Sequence, residues 1–557
     1  MRYIFIALEQ IEVGLGTGHI SRIKRIIKSF NSKESKLNNS ITFITNNNNH
    51  DEGYDHIYVA NFKDASYEVK KLIKNKQVDI IIFDCLDYCQ DLYLACKKNH
   101  IFSIGIDTSS KASCELDLLV NPVIDNDFPN LRGPMHAIHH ESNTKREKKS
   151  NQDYLNIFIC FGGIDHQNHL IKLEPFLKTI SYKYKIDLVL SNNTYNKTHI
   201  NKNPRIKTHY RPKNFYGLLK DADIALISGG ILFQEAQYLG IPSYVIPQYE
   251  HQLDAAKTAK ESNACIGFSS LPVNYNEVTE IFSNYLEDEK IREKISIQAR
   301  SNNDGYGLRR FKSILRIYDY LEWDSNFFKK EIFILNSKCY THSVHKKVKR
   351  LIQVKKVDLI YFLCPANNHK SIEFAKQKGF HAVDNRVTFF ITPSSFKPVN
   401  IKKGALIKRS KLVNNKDLVS IATNTSWSSR YSKDNNFQKK DIENFYGEWV
   451  EKSTMGKLDD MVFHVEYNNE ICGFISIKKS GLNFGSIGLV SVAKNYQGNG
   501  FGLALISFAV NFLFKKLDCA GVEVVTQKEN ISACKAYDKI GFRISDESVW
   551  MHNWIRN

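Results

Sequence analysis

Over the first three hundred residues, short apolar runs alternate with longer amphipathic stretches. Apolar runs of strand length occupy residues 3–8, 80–84 and 156–161, and helical patterns such as residues 20–30 and 233–239 lie between runs of this kind. Strands that alternate with helices form parallel sheets covered by helices on both faces. The pattern therefore predicts an α/β architecture, with a pair of doubly wound domains in this part of the chain.

Two breaks in the pattern predict domain boundaries. A polar region rich in His, Glu and Lys covers residues 132–151, which is typical of a segment between domains, and a second break falls near residues 310–320. Beyond it, a small α/β segment ends at a proline-containing linker, residues 393–398. We therefore predict four domains, with the bounds 1–145, 146–318, 319–400 and 401–557.

Size and composition narrow the class of protein. A chain of 557 residues, of which 42% are hydrophobic, can fill more than one core. It contains no run of about eighteen apolar residues, so we expect no membrane span, and its first residues are not typical of a signal peptide. Eleven irregularly spaced cysteines favour reduced thiols in a cytoplasmic protein.

The net charge of +18 comes from 77 basic and 59 acidic residues. Such a charge can indicate nucleic acid as the partner, but the lysines are scattered and form no patch interleaved with aromatic residues. We expect no nucleic-acid partner and interpret the charge as a lysine-rich surface, whose positive field attracts anionic substrates. The sequence indicates no metal site.

A glycine-rich turn near the C-terminus carries the clearest chemical signal. The sequence Tyr-Gln-Gly-Asn-Gly-Phe-Gly at residues 496–502 follows the apolar run 487–492 and precedes a helical pattern at residues 503–513. Such a turn directs backbone N–H groups and a helix N-terminus at one point, which suits a pyrophosphate. Glycine also leaves no Cβ between a phosphate and the backbone.

Further along, Asn530, Ala533 and Tyr537 have the spacing Asn-x-x-Ala-x-x-x-Tyr, and Gly541-Phe542 follows. In this order and spacing, the turn and these residues resemble the acetyl-CoA site of the GNAT N-acetyltransferases. Residues 321–557 resemble, more narrowly, the dTDP-fucosamine N-acetyltransferases, which acetylate a 4-amino-4,6-dideoxy sugar nucleotide. The segments that carry this narrower resemblance are 321–328, 378–384, 428–431, 446–450, 525–527 and 552–554.

The resemblance implies a GNAT acyltransferase fold with acetyl-CoA as the cofactor. It makes Tyr537 the general acid that protonates the leaving thiolate, and the alternative for this residue is a half-buried core aromatic. It identifies no general base, and an ordered water relayed to backbone groups would suffice for a sugar amine. Cofactor binding is assigned to Leu489, Val490 and Val492 for pantetheine, to Gln497, Gly498, Asn499, Gly500, Phe501 and Gly502 for the pyrophosphate, and to Asn530 for the CoA arm.

The N-terminal half has a glycine-rich turn of its own. The sequence Gly-Leu-Gly-Thr-Gly-His-Ile-Ser-Arg at residues 14–22 follows the first predicted strand and opens a helix. At a helix N-terminus the dipole favours a neutral imidazole, so His19 can act as a general base near pH 7. The alternative is a dinucleotide-type loop with an incidental histidine, although the spacing is not Gly-x-Gly-x-x-Gly.

Two glycine pairs follow later strands, in Phe-Gly-Gly-Ile-Asp at residues 161–165 and Ser-Gly-Gly at residues 228–230. Glycines at a strand–helix junction can present backbone N–H groups to a diphosphate. Glu235 lies one turn into the next helix, where a carboxylate can accept from ribose hydroxyls. Leu-Gly-Ile-Pro at residues 239–242, a helix stop, and Glu-His-Gln at residues 250–252 complete an ordered set.

Together with Asp-Gly-Tyr-Gly-Leu-Arg-Arg at residues 304–310, these segments resemble the GT-B architecture of two Rossmann-like domains. More narrowly, residues 1–312 resemble the UDP-sugar hydrolases of pseudaminic acid biosynthesis, although Asp84-Cys85-Leu86 stands where that family has Asp-His-Tyr. The resemblance makes His19 the base that activates water, and Glu235 the residue that holds the UDP ribose. Substrate binding is assigned to Gly16, Gly18, Arg22, Gly162, Gly163, Asp165, Ser228, Gly229, Gly230, Glu235, His251 and Gln252.

The two resemblances together predict a bifunctional enzyme of pseudaminic-acid-like nonulosonic acid biosynthesis. The C-terminal part would N-acetylate the 4-amine of a UDP-linked 4-amino-4,6-dideoxy sugar. The N-terminal part would hydrolyse the resulting UDP-diacetamido-trideoxyhexose to free sugar and UDP. Two alternatives stay open for the N-terminal part, a glycosyltransferase and a non-catalytic nucleotide-sugar binding module. The expected partners are the UDP-sugar and acetyl-CoA, and a homodimer stays open.

Overall fold

The computed structural model describes residues 2–8, 17–30, 40–46, 54–75, 78–84, 90–107, 116–121, 130–139, 154–191, 194, 204–410, 415–481 and 483–555. The chain divides into two compact units, Met1–Lys312 and Ser313–Asn557. The domain bounds that the sequence predicts, at residues 145, 318 and 400, stay predictions.

The first unit is built from alternating strands and helices. In chain order its elements are β1 (Arg2–Ile6), α1 (Thr17–Phe30), β2 (Ser40–Thr45), β3 (Asp55–Tyr58), α2 (Phe62–Asn75), β4 (Ile80–Asp84), α3 (Gln90–Lys98), β5 (Phe102–Ile106), β6 (Leu118–Asn121), β7 (Asn130–Arg132), β8 (Asn156–Cys160), α4 (His169–Ile180), β9 (Lys185–Leu190), β10 (Ile206–Tyr210), α5 (Phe215–Lys220), β11 (Ile224–Ile227), α6 (Ile231–Leu239), β12 (Ser243–Val245), α7 (Leu253–Glu261), β13 (Gly267–Phe268), α8 (Tyr275–Glu287), α9 (Glu289–Ser301) and α10 (Gly307–Arg316). Short 3-10 turns cover Pro134–His136 and Glu250–Gln252.

These strands form two parallel sheets. The first has seven strands in the order β3-β2-β1-β4-β5-β6-β7, and the second has six in the order β10-β9-β8-β11-β12-β13. Their apolar residues are buried on both faces, as in all five residues of β4 and of β8, because helices cover both faces of such a sheet. Strand order reverses between β1 and β4 and between β8 and β11, so ligand crevices are expected at the carboxyl ends of these four strands.

Residues 304–310 pack the start of α10 against residues 135–137 and against Tyr238. A Cβ on Gly307 would lie 2.1 Å from the carbonyl oxygen of Ala137, and one on Gly305 would lie 2.5 Å from the ring of Tyr238. Arg310 donates to the carbonyl of Met135 at 2.8 Å. In this structure the motif therefore has a packing role, since a Cβ at either glycine would clash with its neighbour.

The second unit continues the chain with a mixed sheet. Its elements are β14 (Tyr318–Tyr320), α11 (Glu322–Phe328), β15 (Ile332–Leu335), α12 (His342–Val354), β16 (Leu359–Pro365), α13 (His369–Gln377), β17 (His381–Ile391), β18 (Leu406–Arg409), α14 (Asn415–Thr423), α15 (Lys439–Thr454), β19 (Met461–Tyr467), β20 (Glu470–Ser480), β21 (Phe484–Val492), α16 (Phe501–Lys515), β22 (Gly521–Gln527), α17 (Ile531–Ile540) and β23 (Arg543–Trp554). A 3-10 turn covers Lys494–Tyr496.

Ten strands form one sheet in the order β14-β15-β16-β23-β17-β22-β21-β20-β19-β18. Strands from both sides of residue 400 share this sheet. Helices α16 and α17 pack on one face, against a core that includes Val490 and Val524. Helices α14 and α15 pack on the other face, against a core that includes Leu489. Among the helices of the described segments, none combines the length and the apolarity needed to cross a bilayer.

Candidate functional site

Two parallel strands of the second unit separate partway along their length. Strand β21 pairs with β22 only from Phe484 to Ile487, whereas on its other side it stays paired with β20 as far as Val492. The register with β20 shifts in this part of the strand, where a Cβ on Gly488 would lie 2.6 Å from Ser476 Oγ and 2.8 Å from the Asp459 carboxylate. The backbone from Leu489 to Val492 therefore faces an opening between the two strands.

The glycine-rich turn stands at the end of this opening. Gly498 and Gly500 have φ values of 80° and 82°, a region that L side chains disfavour. No heavy atom of the described residues lies within 4 Å of a Cβ built on either glycine. Gly500 directly precedes α16, which has no acidic residue in its first turn. An open surface at a helix N-terminus, lined by backbone N–H groups, fits a pyrophosphate.

A cavity of about 1170 Å³ runs from this turn through the opening between β21 and β22. Of the residues predicted to bind the cofactor, Asn499 alone is absent from its wall. Its amide nitrogen instead donates to the Tyr496 carbonyl at 3.2 Å, which braces the turn. The predicted residues that line the cavity are Leu489, Val490, Val492, Gln497, Gly498, Gly500, Phe501, Gly502, Asn530 and Tyr537.

Two of these polar side chains are engaged in local structure. Gln497 donates to the Val492 carbonyl at 3.1 Å, and Asn530 caps α17 by accepting from the Ala533 N–H at 3.3 Å. Lys402, which the sequence did not single out, brings an ammonium group to 3.5 Å from Asn499 Oδ1. The turn therefore offers a ligand mainly backbone donors, with one lysine beside them.

Tyr537 is 2% exposed and projects into the cavity wall. Its ring packs between Phe389 and Phe542, each with its centroid at 5.5 Å. No hydrogen bond from another described residue reaches its hydroxyl group. Burial raises the pKa of Tyr537 above its ordinary value, so the phenol is protonated at neutral pH and is available as a proton donor.

The far part of the cavity has an aromatic and charged wall for which the sequence suggested no role. Trp427 stacks on Tyr446 with a centroid distance of 4.4 Å and an interplanar angle of 19°, and the ring of Tyr446 is nearly parallel to that of Trp449, at a centroid distance of 6.3 Å. Arg386 and Arg430 line the same part. These residues come from three separate elements, so no local motif marks them together.

In the first unit, α1 carries His19 to the carboxyl end of β4. His19 Nδ1 lies 2.5 Å from Asp84 Oδ1, and the imidazole is 13% exposed while the carboxylate is fully buried. We assign the proton to Nδ1, because an ionised carboxylate can only accept. The assignment leaves Nε2 with a lone pair, which is the form a general base needs.

Arg22 completes this buried cluster. Its guanidinium donates to both Asp84 oxygens at 2.7 Å and forms an ion pair with Asp107 at 2.5 Å. Burial disfavours the ionised form of Asp84, but Arg22 and His19 outweigh it and hold the pKa of Asp84 below its ordinary value. Arg22 thus holds two carboxylates rather than presenting itself to solvent. The sequence predicts no functional role for Asp84 or Asp107, although a carboxylate that ends an otherwise apolar strand, as Asp84 does, is a signal of one.

The glycine pairs of the second sheet lie at the carboxyl ends of β8 and β11, which are neighbours. Gly162 and Gly230 have φ values of 86° and 87°, and Gly230 opens α6 onto space free of described atoms within 4 Å. A Cβ on Gly229 would lie 2.6 Å from Gln252 Cβ, so this glycine allows a close packing contact. Ser228 lies 3.7 Å from the Cβ position of Gly162, and Gly163 follows on the exposed side.

Other predicted substrate residues make contacts within the protein. Asp165 is 1% exposed and accepts from the N–H groups of His169 and Leu170 at 2.9 Å, which caps α4. Gln252 accepts from the Gln248 N–H, and Glu235 pairs with Arg25 at 3.2 Å. The substrate role of all three stays a prediction. Gly16 and the side chain of His251 lie outside what the structure describes.

Helices α1 and α6 begin close to each other. A Cβ on Gly18 would lie 3.6 Å from the Cδ1 atom of Ile231, the first residue of α6. The Arg25–Glu235 ion pair joins the same two helices two turns along α1 and one turn along α6. The start of α1, which carries His19, and the start of α6, which follows Gly230, therefore lie close together.

Comparison with known proteins supports the two-part organisation. Residues 424–542 match the model of the acetyltransferase (GNAT) family. This match confirms the predicted acetyltransferase domain of the C-terminal part, and acetyl-CoA is the acetyl donor that it implies. The N-terminal part is similar to the spore coat polysaccharide biosynthesis protein SpsG of Bacillus subtilis, with 25% identity over 54% of this chain and 94% of SpsG.

Solved structures show similarity to both parts. MurG of Acinetobacter baumannii covers 57% of this chain and 99% of its own, with 14% identity and a TM-score of 0.46. A GCN5-related N-acetyltransferase of Sphaerobacter thermophilus covers 43% of this chain and 76% of its own, with 13% identity and a TM-score of 0.33. The two parallel sheets and the mixed sheet themselves confirm the predicted α/β class.

Proposed function

We propose that this chain is a bifunctional nucleotide-sugar enzyme. Its second unit N-acetylates the 4-amine of a UDP-linked 4-amino-4,6-dideoxy sugar, and its first unit hydrolyses the acetylated product to free sugar and UDP. The observation that carries the proposal is the cavity that joins the open glycine turn to the buried hydroxyl of Tyr537 and then to an aromatic, arginine-containing wall. The proposal places the protein in the cytoplasm, where thiols such as its described free cysteines persist.

For acetyl transfer, the chain holds the donor at two points. The backbone N–H groups at Gly498 and Gly500 hold its pyrophosphate, and the free edge of β21 from Leu489 to Val492 holds its pantetheine arm. The donor, when bound, would supply a thioester carbonyl for the sugar amine to attack. The N–C bond would form, the C–S bond would break, and the proton that the nitrogen loses would pass to solvent through an ordered water. Tyr537 gives its phenolic proton to the departing sulfur, and its burial keeps that proton in place until then.

For hydrolysis, His19 Nε2 takes a proton from water as the water oxygen bonds to the anomeric carbon. The bond from that carbon to the β-phosphate oxygen breaks, and UDP leaves with the electron pair. Asp84 orients the ring and stabilises the positive charge that the imidazole gains. The N–H groups at Gly229 and Gly230, with the start of α6, offer donors for the leaving diphosphate.

The two reactions follow each other, because the product of acetylation is the substrate of hydrolysis. One chain that carries both sites keeps the intermediate at a raised local concentration. The similarity to a polysaccharide biosynthesis protein supports a sugar substrate for the first unit. We extend the proposal to a pseudaminic-acid-like nonulosonic acid as the final product.

A glycosyltransferase is the second candidate for the first unit. The observation that favours it is the same His19–Asp84 pair, because a base aimed at an anomeric carbon can activate a sugar hydroxyl as well as water. Release of UDP and free sugar without any acceptor separates the two. A non-catalytic binding module would release no UDP at all.

The direct test incubates the full chain with acetyl-CoA and the UDP-linked 4-amino sugar and follows the products by mass spectrometry. We expect the acetylated nucleotide sugar first and then free diacetamido sugar with UDP. His19→Ala should stop the chemistry at the acetylated nucleotide sugar. The matched control is His209→Ala, since His209 also pairs with an aspartate, Asp187, but on the edge strand of the second sheet.

Three outcomes contradict the proposal. A wild-type chain that acetylates no sugar amine rules out the first activity. A chain that releases UDP only when a sugar acceptor is added is a glycosyltransferase. If His19→Ala releases UDP as fast as His209→Ala, the assigned base is wrong.

A further inference from the structure

Arg386 is a cation in the cavity wall, and no acidic group among the described residues contacts it. It belongs to β17 and lines the part of the cavity away from the glycine turn. Within the described part of the chain, its guanidinium makes no hydrogen bond and no ion pair, and its Nε atom is buried without a partner. Burial lowers the pKa of Arg386. The negative charges of Glu523 and Asp546 act in the opposite direction, although neither residue forms an ion pair or a hydrogen bond with it. A buried donor without an acceptor is unfavourable unless a ligand supplies one.

A second guanidinium, that of Arg430, shares the cavity and is held rigidly. Its Nη2 atom donates to the Tyr431 hydroxyl at 2.6 Å and lies 3.5 Å from an Asp324 oxygen. Its plane lies over Trp550 with the ring centroid at 4.2 Å. Even so, its Nε atom is also buried without a partner among the described residues. Arg430 disfavours the charged form of Arg386, so an anion between them would relieve a like-charge repulsion.

This anion is not the donor's pyrophosphate, because Arg386 and the glycine turn lie on opposite faces of the sheet. Val387, the next residue of β17, packs in the core beneath α16 and α17. Side chains alternate along a strand, so Arg386 projects toward the other face. Leu489 and Trp550 belong to the core of that face. An acceptor that enters there meets the donor through the opening between β21 and β22.

Aromatic rings that hydrogen bonds and stacking hold in place form another part of the cavity wall. The indole of Trp427 donates to the Ala422 carbonyl at 2.8 Å, and that of Trp449 donates to Asp459 at 3.3 Å. Tyr446 stacks between these two rings. Such a surface accommodates the apolar face of a ring without rearranging.

We propose that Arg386 and Arg430 form an acceptor subsite that binds the phosphate groups of a sugar nucleotide while Trp427 and Tyr446 hold its sugar ring. This inference rests on the proposed sugar N-acetylation and specifies how the acceptor is recognised. It makes the diphosphate, rather than the amine, the feature that selects the substrate. A guanidinium suits phosphate because it donates two parallel hydrogen bonds.

The test compares Arg386→Gln with the wild-type full chain on three acceptors, the UDP-linked 4-amino sugar, the corresponding sugar 1-phosphate and the free amino sugar. Loss of charge-assisted hydrogen bonds should raise KM for the two phosphorylated acceptors by about tenfold to a hundredfold. KM for acetyl-CoA and for the free amino sugar should not change. Arg386→Lys should restore part of the affinity. The matched control is Arg543→Gln, because Arg543 is exposed on the surface and pairs with Asp538.

A second measurement does not depend on turnover. Titration of the UDP-linked amino sugar into the full chain should show one site whose Kd rises about tenfold to a hundredfold in Arg386→Gln. An unchanged Kd at every site, or KM values that are the same in both proteins for all three acceptors, overturns the subsite. If the wild type acetylates no sugar amine while the Kd of one site still rises, the acetylation proposal fails and the anion subsite stands.

Discussion

Replacing Gly500 by Ala tests whether the glycine turn binds the donor's pyrophosphate. Gly500 has φ 82° and ψ 0°, and it lines the cavity just before α16. A Cβ built there meets no described atom within 4 Å. In the free protein the new methyl group therefore causes backbone strain but no clash, and its main effect should appear when the ligand binds.

The two effects have different expected sizes. An alanine in the left-handed region destabilises the fold by about 1–2 kcal/mol, which lowers the melting temperature by about 2–4 °C for each kcal/mol in a unit of this size. Displacing a phosphate from backbone N–H groups removes charge-assisted hydrogen bonds of about 1.5–3 kcal/mol. That loss should raise KM for acetyl-CoA by about tenfold to a hundredfold.

Gly456→Ala is the matched control. Gly456 has φ 70°, also has open space at its Cβ position, and does not line the cavity. Both variants should lose similar thermal stability, measured by calorimetry, but only Gly500→Ala should raise KM for acetyl-CoA in a thiol-release assay. Equal KM values in the two variants would refute the reasoning, because the methyl group at residue 500 would then meet no ligand.

Three further outcomes are expected. Tyr537→Phe should lower kcat for acetylation by about 10²–10⁴-fold with KM for acetyl-CoA unchanged, whereas the exposed Tyr320→Phe should behave as the wild type; full activity of the first variant would exclude a general acid there. Asp84→Asn should slow UDP release by about 10²–10⁴-fold while acetylation continues, and an unchanged rate would mean that the carboxylate does not position the base. Burial lowers the pKa of His552, although its hydrogen bond with Asp434 acts in the opposite direction. The Nε2 atom of His552 is buried without a partner among the described residues. His552 therefore binds a proton more readily in the unfolded chain than in the folded one. Its contribution to the free energy of unfolding should be largest above about pH 6.5 and should decrease as the pH falls below that value. His552→Gln should flatten that slope in urea unfolding, and an unaltered slope would contradict the assignment.

The glycine turn of the second unit could be predicted because its cause is local. Positive φ at Gly498 and Gly500 requires residues without a Cβ, and the following helix begins at the next position. A reader of the sequence sees both the glycines and the helical pattern within a few residues. The same holds for Tyr537, whose spacing from Asn530 follows from one helix, α17.

The partner of His19 could not be identified in the same way. Asp84 lies 65 residues further along the chain, and it meets α1 only because β4 pairs with β1 in the first sheet. The sequence predicted the strand that ends at Asp84, but strand order is a tertiary property. For the same reason the ion pair of Glu235 with Arg25, which engages the proposed ribose acceptor, was not foreseen.

The sequence by itself determined the α/β rhythm and the glycine turns, because these depend on periodicity and backbone freedom within short windows. Only the tertiary structure decided which side chains share the cavity wall. Arg386 on β17 meets Arg430 and Trp427 from the segment between α14 and α15, and no local pattern links strands and loops so far apart. Burial then determined what those side chains can do, since the Nε atom of Arg386 needs a ligand only because the fold buries it without a partner among the described residues.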